Sequence, residues 1–172
     1  MDYDKQLIEI SLGNIQEFES LYNKYKKDVF AIAYSILRDT ELSKDILQEV
    51  FIKLFLHLKR NSIKNVKAWL ISVSRNAALD IYRKRLNEVT NFDNKVFDNI
   101  EFLSEDPLER VTMLKYLEVL DYSERQIVVL KAISGLKHRE ISKIVEMPLG
   151  TVLWKYRSAL EKLRKNIDLS QE

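Results

Sequence analysis

The chain has no cysteine, three glycines and two prolines among 172 residues. Without cysteine there are no disulfides and no thiolate metal ligands, and the composition suits a reducing compartment. So few turn residues argue against a β-rich fold, which needs a tight turn every ten residues or so, and favour long helices. No apolar run approaches the roughly 20 residues that span a bilayer. The first residues, MDYDKQLIEISLG, contain no apolar stretch of signal-peptide length. The expected location is cytoplasmic, with no direct membrane insertion. Hydrophobic residues make up 46% and charged residues 31%, enough to bury a core and stay in solution.

Net charge is only +2, but it is unevenly placed. Residues 1–85 carry 15 basic and 11 acidic groups, residues 86–110 carry 2 and 7, and residues 111–172 carry 11 and 8. Within residues 50–85, nine Lys/Arg face a single acid, Asp80. Solvated helix faces mix both signs, so this excess is the footprint of a polyanion-binding surface. The segment 86–107 is acidic, rich in Asn and Asp, and lacks a helical period, which reads as a linker. Nothing in it supplies a large apolar interface, so the two flanking parts are expected to be able to separate.

On either side the apolar spacing is helical. Helices are expected over about 14–37, 40–58 with Thr40 as N-cap, and 65–85. After the linker, Asp106-Pro107-Leu108-Glu109 opens a helix ending near Leu120. Ser123 to Gln126 forms a capping box for the next, which Gly135 ends. A short helix over 138–145, a turn at Glu146-Met147-Pro148 and a last helix to about Ile167 follow. The fold class is all-α: two small helical domains joined by an acidic linker, with boundaries 1–86, 87–106 and 107–172. The C-terminal domain is a helix-turn-helix.

Three helix faces ask for a partner. On the second helix, Ile46, Leu47, Val50, Phe51, Leu54 and Leu58 form a core face. The other side holds Asp45, Gln48, Glu49, Ile52 and Leu56. Two apolar residues in line beside acids resemble a protein interface; a wide core stripe is the competing reading. On the third helix, Leu70, Val73, Ala77 and Ile81 share one face, the expected core stripe, and Ser72, Arg75, Asn76, Leu79 and Arg83 oppose it. Arg83-Lys84-Arg85 suits the helix C-terminus, so part of that run is structural. Arg75 and Asn76 lie mid-helix, where no cap needs them, and an Asn amide can hydrogen-bond a base edge.

On the last helix, Val152, Tyr156, Ala159 and Leu163 should face the core. Leu153, Trp154, Arg157, Ser158, Glu161 and Arg164 then point outward. In a helix-turn-helix the first residues of the second helix enter the major groove. Leu153 and Trp154 would touch thymine methyls, Arg157 a guanine or phosphate, and Thr151 the backbone. Lys155, Lys162, Arg164 and Lys165 suit phosphates. The competing reading packs Trp154 against another domain.

The ordered set FESLYNKYKKDVFAIAYSILRDTELSKDILQEVFIKLF, KAWLISVSRNAALDIYRKR and SERQIVVLKAISGLKHREISKIVEMPLGTVLWKYRSALEKLR resembles the extracytoplasmic-function class of the sigma-70 family, bacterial RNA polymerase sigma factors. The resemblance implies an N-terminal domain that binds core RNA polymerase and reads the minus-ten element. It implies a C-terminal domain that reads the minus-thirty-five element. It places core-polymerase binding on Asp45, Gln48, Glu49 and Ile52. It places minus-ten contacts on Trp69, Ser72, Arg75, Asn76, Arg83, Lys84 and Arg85, with Asn76 reading a flipped base. The loop from Lys59 to Lys67 would shape the base pocket and hold single-stranded backbone. Minus-thirty-five contacts fall on Thr151, Leu153, Trp154, Lys155, Arg157 and Ser158. The implied partners are core RNA polymerase, promoter DNA and an anti-sigma factor.

The chain departs from the family pattern at Ile71-Ser72, Leu153-Trp154 and Ser158, where charged or aromatic residues are usual, which weights the reading toward thymine methyls. Lys137 stands where the family commonly has a capping Ser. The alternative function is a stand-alone helix-turn-helix repressor with a ligand-binding or dimerising N-terminal half. No catalytic constellation, cofactor motif or small-molecule substrate site is found, and His57 and His138 lack ligand-like partners. His57 reads as a helix-end residue and His138 as a surface one.

Overall fold

The computed structural model describes residues 10, 13–87 and 116–169. Six helices account for most of them: α1 (Ile15–Leu37), α2 (Thr40–Leu58), α3 (Val66–Asn87), α4 (Tyr122–Ala132), α5 (His138–Ile144) and α6 (Leu149–Leu169). There is no strand among the described residues. The acidic linker and the helix opening at Asp106-Pro107 lie outside them, apart from a helical turn over 116–118.

Local chemistry explains the boundaries. Asn14 caps α1 by accepting from the Glu17 N–H, and Arg38 ends it at φ 52. The cap of α2 is Asp39, not Thr40: the Asp39 carboxylate accepts from the Leu42 N–H at 3.0 Å, and Thr40 is already helical and buried. Asn65 caps α3 through the Ala68 N–H. The capping box of α4 runs from Asp121 to Glu124, two residues before the Ser123–Gln126 box expected from the sequence. An Asp at this position accepts as well as a Ser, and Glu124 returns the bond by accepting from the Asp121 N–H at 3.0 Å. At Lys137 no side chain caps α5. Its start is held from the other side, with Glu140 accepting from the Lys137 N–H at 2.7 Å.

The first three helices bury one cluster, with Leu21, Val29, Ile46, Val50, Leu54 and Leu70 nearly inaccessible. All six core residues expected on α2 are buried. On α3 the core stripe is rotated from the expected one. Leu70, Ile71, Ser74 and Ala78 are buried, whereas Val73, Ala77 and Ile81 are only partly covered. The buried Ser74 hydroxyl donates to the Leu70 carbonyl at 2.6 Å, so a polar residue sits in the stripe without an unpaired group.

A second cluster joins the two halves. Phe30, Ala31, Ile32 and Tyr34 of α1 and Ile71 of α3 are buried with Leu117, Leu120, Ile127, Val128, Val129 and Leu130. The two halves thus share a buried surface. The shared surface comes from the helices rather than the linker, because α1 is apolar on more than one side: every residue from Val29 to Leu37 is buried. Stacking of Tyr82 on Tyr122, with ring centroids 5.3 Å apart, extends the junction along α3.

Candidate protein and nucleic-acid interfaces

The first face is on α2. Asp45, Gln48 and Glu49 are exposed, and Ile52 (60%) and Leu56 (55%) stand outside the core as the pattern suggested. The structure adds what the sequence did not show. Gln48, Ile52 and Leu56 edge an apolar groove of about 550 Å³ whose other wall is α1 and whose floor is aromatic: Phe18, Tyr22, Phe51 and Phe55. Phe18 meets Phe51 and Phe55 edge-on, and Tyr22 meets Phe51 at 4.8 Å. These edge-on contacts support one another and fix the groove's shape. Ile15, 73% exposed at the start of α1, closes one end. A groove with an apolar floor and a Gln48 edge, on a helix that also exposes Asp45 and Glu49, suits an amphipathic helix carrying basic residues.

The second face is on α3. Ser72 and Asn76 are exposed, one turn apart. Trp69 is half-buried and tilts against His57 at 5.6 Å, so His57 at the end of α2 supports the ring. Arg83 and Lys84 are exposed, with Arg83 only 3.6 Å from Asp80. Arg85 turns back and pairs with the Asp39 cap at 2.9 Å. This bond ties the end of α3 to the start of α2 and leaves Arg85 less available than its neighbours. Burial raises the Asp39 carboxyl, but the Leu42 N–H and Arg85 outweigh it and hold it below its usual range. Arg75 is partly covered, and its Nε has no partner among the described residues.

The third face is on α6. The turn before it is pinned at both ends. The Ser142 hydroxyl donates to the Met147 carbonyl at 2.6 Å, and the Met147 N–H donates to the Ser142 carbonyl at 3.1 Å. Glu146 takes φ 56 to make the corner. Val152 and Ala159 are fully buried, and Tyr156 and Leu163 pack beside them. Leu153 (39%) and Trp154 (65%) face out, with Arg157, Glu161 and Arg164. Thr151 is half-buried at the helix start. His138 is not a free surface residue: its ring meets Tyr156 edge-on at 5.0 Å.

Three polar residues of α6 have local work. Lys155 reaches Asp121 at 3.4 Å, Ser158 donates to Glu124 at 2.8 Å, and Lys162 donates to Glu124 at 2.7 Å. Ser158 thus turns toward α4 instead of outward, a correction to the sequence pattern. The outward-facing set is Leu153, Trp154 and Arg157, with Arg164 and Lys165 beyond. No helix among the described residues is long and apolar enough to cross a membrane.

Comparison with known proteins agrees with this geometry. Residues 21–87 match the family model of sigma-70 region 2, a span that includes α2 and α3. The chain is 29% identical to the ECF RNA polymerase sigma factor SigM of Bacillus subtilis, over 84% of this chain and 93% of that one. It is 26% identical to SigW of the same organism over 95% of both. Among solved structures, the sigma factor RpoE bound to the anti-sigma factor NepR from Bartonella quintana is similar in fold, with TM-score 0.69 and 21% identity over 89% of this chain and 98% of that one. CnrH in complex with the cytosolic domain of CnrY gives TM-score 0.63 and 22% identity, over 98% and 99%. The chain thus carries a match to sigma-70 region 2 and is similar along most of its length to extracytoplasmic-function sigma factors.

Proposed function

We propose that this chain is an alternative sigma factor of the cytoplasm, which binds core RNA polymerase, directs it to specific promoters and is held in check by an anti-sigma factor. The observation that carries the reading is that one family-matched span, residues 21–87, presents two different open faces. One is apolar with a Gln48 edge on α2, beside the exposed Asp45 and Glu49; the other is polar and basic on α3.

Asp45, Gln48, Glu49 and Ile52 take the polymerase side, with Leu56 and the aromatic floor accepting its apolar residues. Trp69, Ser72, Arg75 and Asn76 take the minus-ten strand. Asn76 presents its amide to a flipped base, whose extrusion costs a few kcal/mol of stacking and pairing. Arg83 and Lys84 neutralise phosphates, and Arg85 mainly fixes α3 to α2. Leu153, Trp154 and Arg157 enter the minus-thirty-five major groove, with Thr151 at the backbone. Lys155 and Ser158 serve chiefly to hold α6 on α4. The chain contributes recognition, and the polymerase contributes the chemistry. A stand-alone repressor is not favoured, because the relatives that match along nearly the full length are sigma factors.

The test is binding of fluorescently labelled chain to purified bacterial core polymerase. Saturable binding lost in Ile52→Asp, with the circular dichroism spectrum unchanged, is the expected result. Absence of binding by the folded wild-type chain would refute the assignment.

A further inference from the structure

Two acids at the start of α4 hold three residues of α6. Glu124, 2% exposed, accepts from the Ser158 hydroxyl through Oε1 at 2.8 Å. Its Oε2 accepts from the Lys162 ammonium at 2.7 Å and from the Asp121 N–H at 3.0 Å. Asp121 in turn accepts from the Glu124 N–H through Oδ1 at 2.8 Å and faces Lys155 through Oδ2 at 3.4 Å. Lys155, Ser158 and Lys162 are spaced three and four residues apart, so they form one stripe along α6. The apolar side of that helix offers less: Val152 and Ala159 are its fully buried side chains among the described residues. Contact between small apolar groups has no direction and does little to stop a helix rolling or sliding. Charge-assisted hydrogen bonds to both oxygens of one fixed carboxylate do have direction. Stability alone does not call for an acid here, because apolar residues of similar volume often serve as well as a buried ion pair.

The roll of α6 matters because of what lies elsewhere on it. Leu153, Trp154 and Arg157 face outward, and Lys155, tied to Asp121, lies 5.8 Å from the Trp154 ring centroid. A set of recognition side chains works only when held within roughly 0.5 Å and 10–20°. At the outer radius of a helix, about 5–6 Å, a roll of about 20° already moves a side-chain tip by about 2 Å. We propose that Glu124 is a positioning residue for promoter choice: through Ser158 and Lys162, and through Asp121 and Lys155, it sets the roll of α6 on α4 and so which base edges Leu153, Trp154 and Arg157 reach. The role rests on the sigma-factor reading, but the setting of α6 on α4 is a property of the chain alone.

The test compares the full chain with its Glu124→Gln variant, which keeps the size of the side chain and removes its charge. Each is mixed with purified core polymerase and two promoter libraries, one randomised in the minus-thirty-five element and one in the minus-ten, well below either protein's melting temperature. The preference among minus-thirty-five sequences, read as transcript ratios, is expected to fall about fivefold in the variant, with the minus-ten preference and core affinity unchanged. A variant that is merely less stable transcribes less from every promoter and keeps both preferences. Ser158→Ala should act in the same direction, and the double variant should lose less than the product of the two single losses, because both break one bond. A Glu124→Gln chain that keeps its minus-thirty-five preference, or loses both preferences alike, overturns the proposal. The chain has no cysteine of its own, so spin labels on Ala132→Cys and Glu161→Cys, both exposed, report the spacing of α4 and α6 without polymerase. That distance distribution should shift or broaden with Glu124→Gln, and an unchanged one overturns the positioning role. Wild-type chain that gives no start sites with core polymerase refutes the sigma reading instead, and the distance measurement then judges the setting of α6 by itself.

Discussion

Glu124 is an acid with 2% exposure that serves three partners at once: the Asp121 N–H, the Ser158 hydroxyl and the Lys162 ammonium. Burial raises its carboxyl, but Lys162 and these hydrogen bonds prevail and hold it below the usual range. Asp121 and Asp39 are lowered in the same way, by backbone N–H groups and basic side chains working against burial. A carboxylate whose folded pKa lies below its unfolded value stabilises the fold above the unfolded value and loses that contribution as pH falls toward the folded one. The melting temperature is therefore expected to drop as pH falls through about 4. Glu124→Gln should flatten that dependence, and Glu124→Ala should cost about 2 kcal/mol in denaturant melts. Trp154 is the opposite kind of residue. It is exposed, so Trp154→Ala should leave the melting temperature unchanged while relaxing start-site choice at promoters that need the minus-thirty-five element. Its exposure was legible from the period of Val152, Tyr156 and Ala159; the inward turn of Ser158 was not, because it depends on an acid 34 residues away.

At the scale of the element, α2 was read almost completely, because its apolar and polar positions alternate with one clear period. Its start was misplaced by one residue: Asp39 and Thr40 are both competent caps, and the choice follows the Arg85 bond, which no local pattern reveals. The stripe on α3 was rotated because Ile71 and Ser74 are buried for reasons that lie elsewhere, in α4 and in the helix's own carbonyls. Asp39→Ala removes both the cap and the tie to α3 and should cost about 1 kcal/mol or slightly more, measured by chemical denaturation. Gly135, at φ 66, ends the α4 segment in a conformation that L side chains resist, and Gly135→Ala should cost about 1 kcal/mol. The groove between α1 and α2 is also an element-scale feature. Sequence periodicity exposed Ile52 and Leu56, but the aromatic floor needs two helices to be seen together.

At the scale of the whole molecule, the all-helical class was legible in composition and spacing. The shared junction was not. An α1 segment buried along its whole length from Val29 to Leu37 can be read as simply a central helix, and only the structure gives it partners in both halves. Burial pushes the Tyr34 hydroxyl up to about 12, with Glu118 adding to the effect, so this junction tyrosine stays neutral at physiological pH. The most direct measurement is transcription by purified core polymerase from a library of randomised promoters, with and without the chain, followed by sequencing of the transcripts. Start sites that appear only with the chain, share a minus-ten and a minus-thirty-five element, and vanish with Arg75→Ala plus Asn76→Ala are the predicted result. Transcripts unchanged by a folded, intact chain would contradict it.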